Sequence, residues 1–212
     1  MADNYLEKRY EEVFGKSGKT TKSNLHPSLD TLLIRNRSYR GFDKTHIVVS
    51  SQLELIINAN TKVASGMNAQ RLRFRPIVKG EESKQILSLI KLGSALPDLH
   101  LPLEGTEPEA FIIVGATCEE NPTIDIDLGI SLQTMLLKAV DLGLGGIIVR
   151  NFNAEAMQAR LSLRLKPIAV LAIGKPCEKI ELVEAHEGES LKYYRKNGIH
   201  YVPKLTVKEL KF

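Results

Sequence analysis

Apolar residues recur along this chain in three patterns, and each predicts a different kind of element. The first is helical. "NYLEKRYEEVF" places Leu6, Tyr10 and Val13 at helical spacing, and the polar stretch "GKSGKTTKSN" after it holds few apolar residues, so residues 1–26 are expected to form a short helix and an arm. Pro27 opens a second helical pattern through Leu29, Leu32 and Leu33 that ends near Arg35. Ser51 and Glu54 have capping-box spacing, and Leu53, Ile56, Ile57, Val63 and Ala64 follow on one face, running into "SGMNAQ". A further helix is expected around "SKQILSLIKL". "IDIDLGISLQTMLLKAVDLG" is longer, starts with acidic residues that suit a helix dipole, and is apolar around most of its circumference, which predicts a central helix covered on both sides.

The second pattern is the short apolar run bounded by turn residues. "FRPIVK", "AFIIVGA", "GGIIVR" and "PIAVLAIG" predict strands, the last two buried and separated by a helix that Asn153 is placed to cap. The third is an apolar loop, "GSALPDLHLPLEGTEPE", whose Leu96, Leu99, Leu101 and Leu103 ask for cover from a second subunit, a ligand or the chain's own core. The tail "YYRKNGIHYVPKLTVKELKF" has no compact period of its own. Strands and helices alternate without a regular βαβ period, so an α+β class with a mixed sheet between helices fits better than a doubly wound fold.

Composition narrows the function. A chain of 212 residues with 43% apolar content is expected to form one compact domain with a substantial core, two small domains being the alternative. Its net charge is only +4, and no basic stripe is interleaved with aromatics, so the pI near 9.0 does not argue for a nucleic-acid partner. Cys118 and Cys177 match no zinc or CxxC spacing and are expected to be two buried thiols in a reducing compartment. No apolar run approaches the length of a signal core or a membrane span, so a cytoplasmic protein without a membrane partner is expected.

Motif chemistry is mostly missing. The five histidines are scattered, no G-x-S-x-G elbow occurs, and "LGLGGI" has Ile148 where a dinucleotide fingerprint needs its third glycine. Its order, helix then glycines then strand, is also wrong for a phosphate cradle, and Gly143 reads as a left-handed helix cap. An enzyme built from this chain would leave its chemistry to a cofactor. One segment, "RNRSYRGF", sets Arg35, Arg37 and Arg40 beside Ser38 just past a helix end. These cations suit either the negative end of a helix dipole, facing water, or a bound anion.

"RNRSYRGF" resembles the R-R-S-x-R-x-F segment of the FMN-dependent nitroreductase family. "ASGMNAQRLRF" resembles its S-x-x-N-x-Q-P-W-x-F segment, and "DLGISLQTMLLKAVDLGLGGIIV" resembles its central helix and glycine turn. "LKPIAVLAIGKP" is similar to its late core strand and "VPKLTVKEL" to its closing basic segment, in the same order, so the resemblance runs from about Pro27 to the end. It implies a homodimer whose mixed, mainly antiparallel sheet lies between helices, with residues 27–212 forming the FMN-binding domain and the tail packing on the partner subunit. FMN would lie in the interface. Asn36, Arg37 and Ser38 would stand at its phosphate and ribityl region, Arg40 at the pyrimidine edge of the ring, and Lys204 over the phosphate. Ser65, Gly66, Met67, Asn68 and Gln70 would approach from the other subunit, and Ile148, Val149, Arg150 and Asn151 would run beneath the ring.

The implied activity is an NAD(P)H oxidoreductase working by ping-pong hydride exchange, with NADH or NADPH as co-substrate and a nitroaromatic, a quinone or another small molecule as electron acceptor. A flavin-binding or interaction protein with little turnover is the alternative. Asn36 departs from the family's first arginine, Arg71 and Leu72 replace its Pro-Trp, and Thr206 replaces a basic tail residue. Arg150 stands where some members are acidic; it either adds positive charge near the ring or points to solvent.

Overall fold

The structure, a computed structural model, describes residues 27–93, 96 and 99–212. The helix and arm expected over residues 1–26 lie outside the described residues. Within them, four strands make one antiparallel sheet in the order β1-β2-β4-β3: β1 (Leu72–Ile77), β2 (Ala110–Ala116), β3 (Gly145–Val149) and β4 (Pro167–Gly174). β2 and β4 are central and apolar on both faces, and alternation sends their side chains to opposite layers. Ile112, Val114, Leu171 and Ile173 face one side, packed with Leu53 and Ile56 of helix α2 (Ser50–Asn58) and with Leu128, Leu132 and Met135 of helix α4 (Pro122–Asp141). Phe111, Ile113 and Val170 face the other, packed with Ile86 of helix α3 (Glu81–Leu89) and with Met157 of helix α5 (Ala154–Arg160). This is the α+β sandwich of sheet between helices that the pattern predicts.

Several local expectations hold for the stated reasons. Asn153 caps α5 by accepting from Ala156 N at 2.9 Å, and Gly143 ends α4 with φ 73°. The next two glycines work through size. A Cβ on Gly145 would lie 2.6 Å from Cδ2 of Tyr39, and one on Gly146 would lie 2.5 Å from the Ala172 carbonyl oxygen. The bareness of Gly146 fits β3 against β4, and that of Gly145 lets residues 37–40 lie against the edge of β3, where Ser38 bridges Gly146 and Tyr39 N donates to Gly146 O at 3.2 Å.

Others differ. Helix α1 (Leu29–Arg35) starts two residues after Pro27, because Ser28 is its cap and accepts from Thr31 N at 3.2 Å. α2 begins at Ser50, and Gln52 rather than the Ser51–Glu54 pair reaches back, its Oε1 accepting from Val49 N at 3.1 Å. It ends at Asn58, so Val63 and Ala64 lie beyond it, after the 3₁₀ turn Ala59–Lys62. α4 is not covered on both sides in the single chain: Ile126 is 65% and Ile130 37% exposed. Cys118 and Cys177 are free thiols, the first half-buried and the second exposed rather than both buried.

The largest difference is the tail. β5 (Lys179–Ala185), β6 (Tyr194–Lys196) and β7 (Ile199–Leu205) form a second sheet in the order β5-β7-β6, with β5 and β7 parallel. β6 and β7 join through Asn197 and Gly198, both at positive φ, the Asn-Gly turn that matches strand twist. Beyond β7, the Glu209 carboxylate closes the chain by accepting from Glu187 N at 2.8 Å and from Thr206 N and Oγ1 at 3.1 and 2.7 Å.

Two tests follow from this packing. Gly146→Ala forces a methyl against a carbonyl and is expected to cost about 1–3 kcal/mol, read as a lower urea midpoint at unchanged slope. An unchanged midpoint would show that β3 and β4 are not packed as described. The Glu209 bonds, the Glu187 amide first, lower its pKa from 4.5 to about 2. A depressed acid stabilises the fold fully above its unfolded value and loses that contribution as pH falls from about 4.5 toward about 2. Amide exchange at Glu187 and Thr206, corrected for intrinsic rates, should therefore quicken across that window, and Glu209→Gln should already be fast at neutral pH.

Candidate functional site

The cationic segment 35–42 is held from three directions. Asn36 caps α1, its N–H donating to Leu32 O at 2.8 Å. Tyr39 bonds the β3 edge, and its hydroxyl donates to Arg35 O at 2.8 Å. Phe42, 3% exposed, donates its N–H to Thr106 O at 2.9 Å. At the remaining corner stands Glu178, between β4 and β5, whose carboxylate accepts from the backbone N–H groups of Arg40 and Gly41 and from the Arg195 guanidinium of β6.

This arrangement leaves Arg40 unusual. It is 8% exposed, its Nη1 donates only to the Ser38 carbonyl at 2.8 Å, and its guanidinium lies 4.8 Å from the centre of the Tyr193 ring. Among the described residues it has no ion pair, because the nearby Glu178 carboxylate is engaged by Arg195 and the backbone. Cation–π contact with Tyr193 offsets part of the cost of burying such a charge, of the order of 2 kcal/mol when desolvated. A buried, unpaired cation is expensive enough to need a reason.

Arg40 opens on a cavity of about 150 Å³. Arg37, Ser38 and Arg40 line one side, and Tyr193, His200 and Lys204 of the tail line the other. Nε of Arg37, Nε of Arg40 and Nδ1 of His200 are buried with no hydrogen-bond partner among the described residues. Burial also lowers the pKa of Arg37, which the charge of Tyr39 partly opposes, although an arginine so shifted stays protonated at neutral pH. A small cavity lined by Arg37, Arg40 and Lys204 fits an anion such as phosphate.

The structure therefore brings together Arg37, Ser38, Arg40 and Lys204, four of the residues singled out in the sequence. Asn36 stays outside the cavity as a helix cap. Ser65 and Gln70 line a separate cavity of about 270 Å³ with Asp127 and Ser131. Asp127 Oδ1 accepts from Gly66 N at 2.8 Å, and Gln70 N donates to Ser65 Oγ at 3.1 Å. Met67, Asn68 and Gln70 all have positive φ, at 52°, 52° and 46°, and Met67 is 90% exposed. Such backbone is costly outside glycine and clusters at working sites.

Ile148 is 39% exposed at the sheet edge, while Val149 is buried. Asn151 O accepts from Lys91 N at 3.1 Å. Arg150 pairs with Glu120 and, at 3.2 Å, with Asp125, bonds that raise its pKa. Its charge is compensated by acids near the start of α4, so it adds no net positive charge at the β3 edge. Glu178, Tyr193, Arg195 and His200 were not legible as site residues. The Asn-Gly turn was the available signal for three of them, since a two-residue hairpin there sets Arg195 opposite His200. Among the described residues no cluster of His, Cys, Asp and Glu could hold a metal ion, and no helix is long and apolar enough to cross a membrane.

Comparison with known proteins bears on the fold. A model of the Nitroreductase family matches residues 104–175, which span β2 to the end of β4. No curated protein matches the chain by sequence. A nitroreductase family protein from Clostridium novyi NT is similar in structure at a TM-score of 0.59 and 19% identity, over 71% of this chain and 86% of the other. A putative nitroreductase from Desulfovibrio desulfuricans, solved in complex with FMN, gives 0.59 and 22% over 72% and 88%. The FMN- and NADPH-dependent nitroreductase NfnB of Sphigopyxis sp. strain HMH gives 0.59 and 17% over 71% and 89%. The chain carries the nitroreductase fold and resembles that family through its central strands and helix.

Proposed function

We propose that this protein is an FMN-dependent oxidoreductase that passes hydride from NADH or NADPH to a small acceptor such as a nitroaromatic or a quinone. The observation that carries this reading is Arg40, a buried cation without a carboxylate, opening with Arg37 and Lys204 on one cavity. Bound FMN would supply the redox chemistry, and the chain's own groups would bind it, orient it and set its electrostatics. Arg37, Ser38 and Lys204 would hold the phosphate. Arg40 would act on the pyrimidine edge, where a desolvated guanidinium interacts more strongly with added negative charge than it would in water.

A cavity of about 150 Å³ suits a phosphate, whereas whole-ligand sites run to roughly 300–1,000 Å³. The ring therefore needs a second surface. We assign that surface to a second copy of the chain, whose Ser65, Gly66, Met67, Asn68 and Gln70 would approach the ring, with Ile148, Val149, Arg150 and Asn151 beneath it. Uncovered apolar side chains support this reading. Helix α1 has no buried residue and leaves Leu29 62% and Ile34 65% exposed, and α4 leaves Ile126 and Ile130 open. Residues 27–212 would form the FMN-binding body, with residues 1–26 and the tail against the partner.

The protein reconstituted with FMN is expected to be a yellow dimer, bleached by NADH or NADPH and recoloured by an acceptor. Failure to retain FMN, or a monomer that retains it, would count against the reading; flavin that bleaches with neither nicotinamide would leave a flavin-binding protein with little turnover. Arg40 and Arg37 have separable effects. At saturating FMN, Arg40→Ala should lower the bound-flavin potential by roughly 30 mV for each 1.4 kcal/mol of charge stabilisation removed. Arg37→Ala should weaken FMN binding and leave the potential unchanged. Equal potentials in wild type and Arg40→Ala would remove Arg40 from the ring.

A further inference from the structure

His200 has no role in the reading above, yet it is the most deeply buried ionisable side chain lining the cavity. It sits on β7, the central strand of the tail sheet, and is 2% exposed. Its ring stacks on Tyr193 with centroids 5.0 Å apart at 27°, and Tyr193 in turn carries the Arg40 guanidinium. Charged and titratable groups face it from each neighbouring element: Arg40 from the segment after α1, Glu178 from the start of the tail, and Tyr193 and Arg195 from the hairpin. Burial lowers its pKa most, Arg40 and Arg195 lower it further, and Glu178 opposes them. These shifts favour the neutral imidazole, and its Nδ1 is buried with no hydrogen-bond partner among the described residues.

We propose that His200 is a ligand of the anion bound in this cavity, taking one proton from solvent as a phosphate group enters and donating from Nδ1 to a phosphate oxygen. The identity of that phosphate as the end of FMN rests on the reading above. The charge logic is reciprocal. The Arg40 and Arg195 guanidiniums favour the neutral ring, whereas a phosphate held by Arg37, Ser38 and Lys204 brings negative charge beside it and favours the imidazolium. Nδ1 then gains the partner it lacks, through a charge-assisted bond roughly twice as strong as a neutral one. Binding and protonation are thereby linked, and each strengthens the other.

The test is a titration of the imidazole nitrogens in the full chain, ¹⁵N-labelled at histidine, from about pH 5 to about pH 8, the range in which this side chain changes charge. It is run on free protein, on protein saturated with FMN, with riboflavin, which has the same ring and no phosphate, and with inorganic phosphate. The His200 midpoint should rise by about one unit or more with FMN and with inorganic phosphate, equivalent to a tenfold coupling, and should stay in place with riboflavin. Relative to His200→Gln, wild type should then bind FMN about tenfold more tightly at the acid end of the range than at the alkaline end, a comparison that cancels the titration of the phosphate itself.

An unmoved midpoint with FMN bound overturns the proposal, as does a riboflavin shift equal to that of FMN, which would place the ring rather than the phosphate at His200. If FMN fails to bind but inorganic phosphate still raises the midpoint, the FMN reading falls and the anion role of His200 stands. If FMN fails to bind and inorganic phosphate leaves the midpoint in place, both fall.

Discussion

The site depends on how one carboxylate is shared. Glu178 accepts from the backbone of Arg40 and Gly41 and from the Arg195 side chain, and so fixes the cationic segment, the end of β4 and the tail hairpin at a single point. Removing one partner of such a buried pair typically costs about 3–5 kcal/mol, because the other charge is stranded. The same sharing leaves the Arg40 guanidinium over without a counter-charge. Had Glu178 paired with the Arg40 side chain, one of the three cations lining the cavity would be compensated and the site less suited to an anion. Glu178 thus serves geometry, and the cationic side chains lining the cavity keep their field.

That geometry needs a rigid frame, and the central strands provide it. β4 is buried along both faces, so its end at Gly174 and the following Lys175, Pro176 and Cys177 leave the sheet from a fixed position. Phe42 bridges Pro176, and Cys177 N donates to Gly41 O at 3.2 Å, so the segment 35–42 is sewn to the strand exit before Glu178 is reached. On the other flank, Gly145 admits Tyr39 where any side chain would push it away. Core packing is the distant cause of the site's order: each layer positions one edge of the segment, and the tail sheet closes over it.

What could be seen in the sequence follows from the range of the interactions. β2 and β4 were legible because a doubly buried strand needs a continuous apolar run, and Gly143 and Asn153 because helix ends are fixed by residues next to them. Arg37, Ser38 and Arg40 stood out as a local cluster. The start of α2 was misread because Gln52 outcompeted Glu54 for the capping role, and its end because Val63 and Ala64 continue the helical spacing past a turn that the spacing alone does not reveal. The hairpin was missed although Asn197-Gly198 announces it, since its flanking residues alternate too weakly to read as strands. Glu178 could not have been found this way. Its meaning lies in Arg40, 138 residues earlier, and in Arg195, 17 residues later.

The apolar residues left uncovered have the same logic as the charge left unpaired. Leu29, Leu33 and Ile34 on α1 precede the cationic segment directly, and Ile126 and Ile130 lie on α4, whose Asp127 holds the Ser65–Gln70 turn through Gly66. Each exposed surface is thus continuous in the chain with one of the two groups that a flavin would join. Burial of such surface contributes roughly 25 cal/mol per Å², enough for a modest helix face to offset strained turns and a desolvated arginine together. A partner that covered α1 and α4 would hold both groups still at the moment the anion arrived. Association and ligand binding would then stabilise the same arrangement, and neither the lone cation nor the bare helix face would be a cost borne by one chain alone.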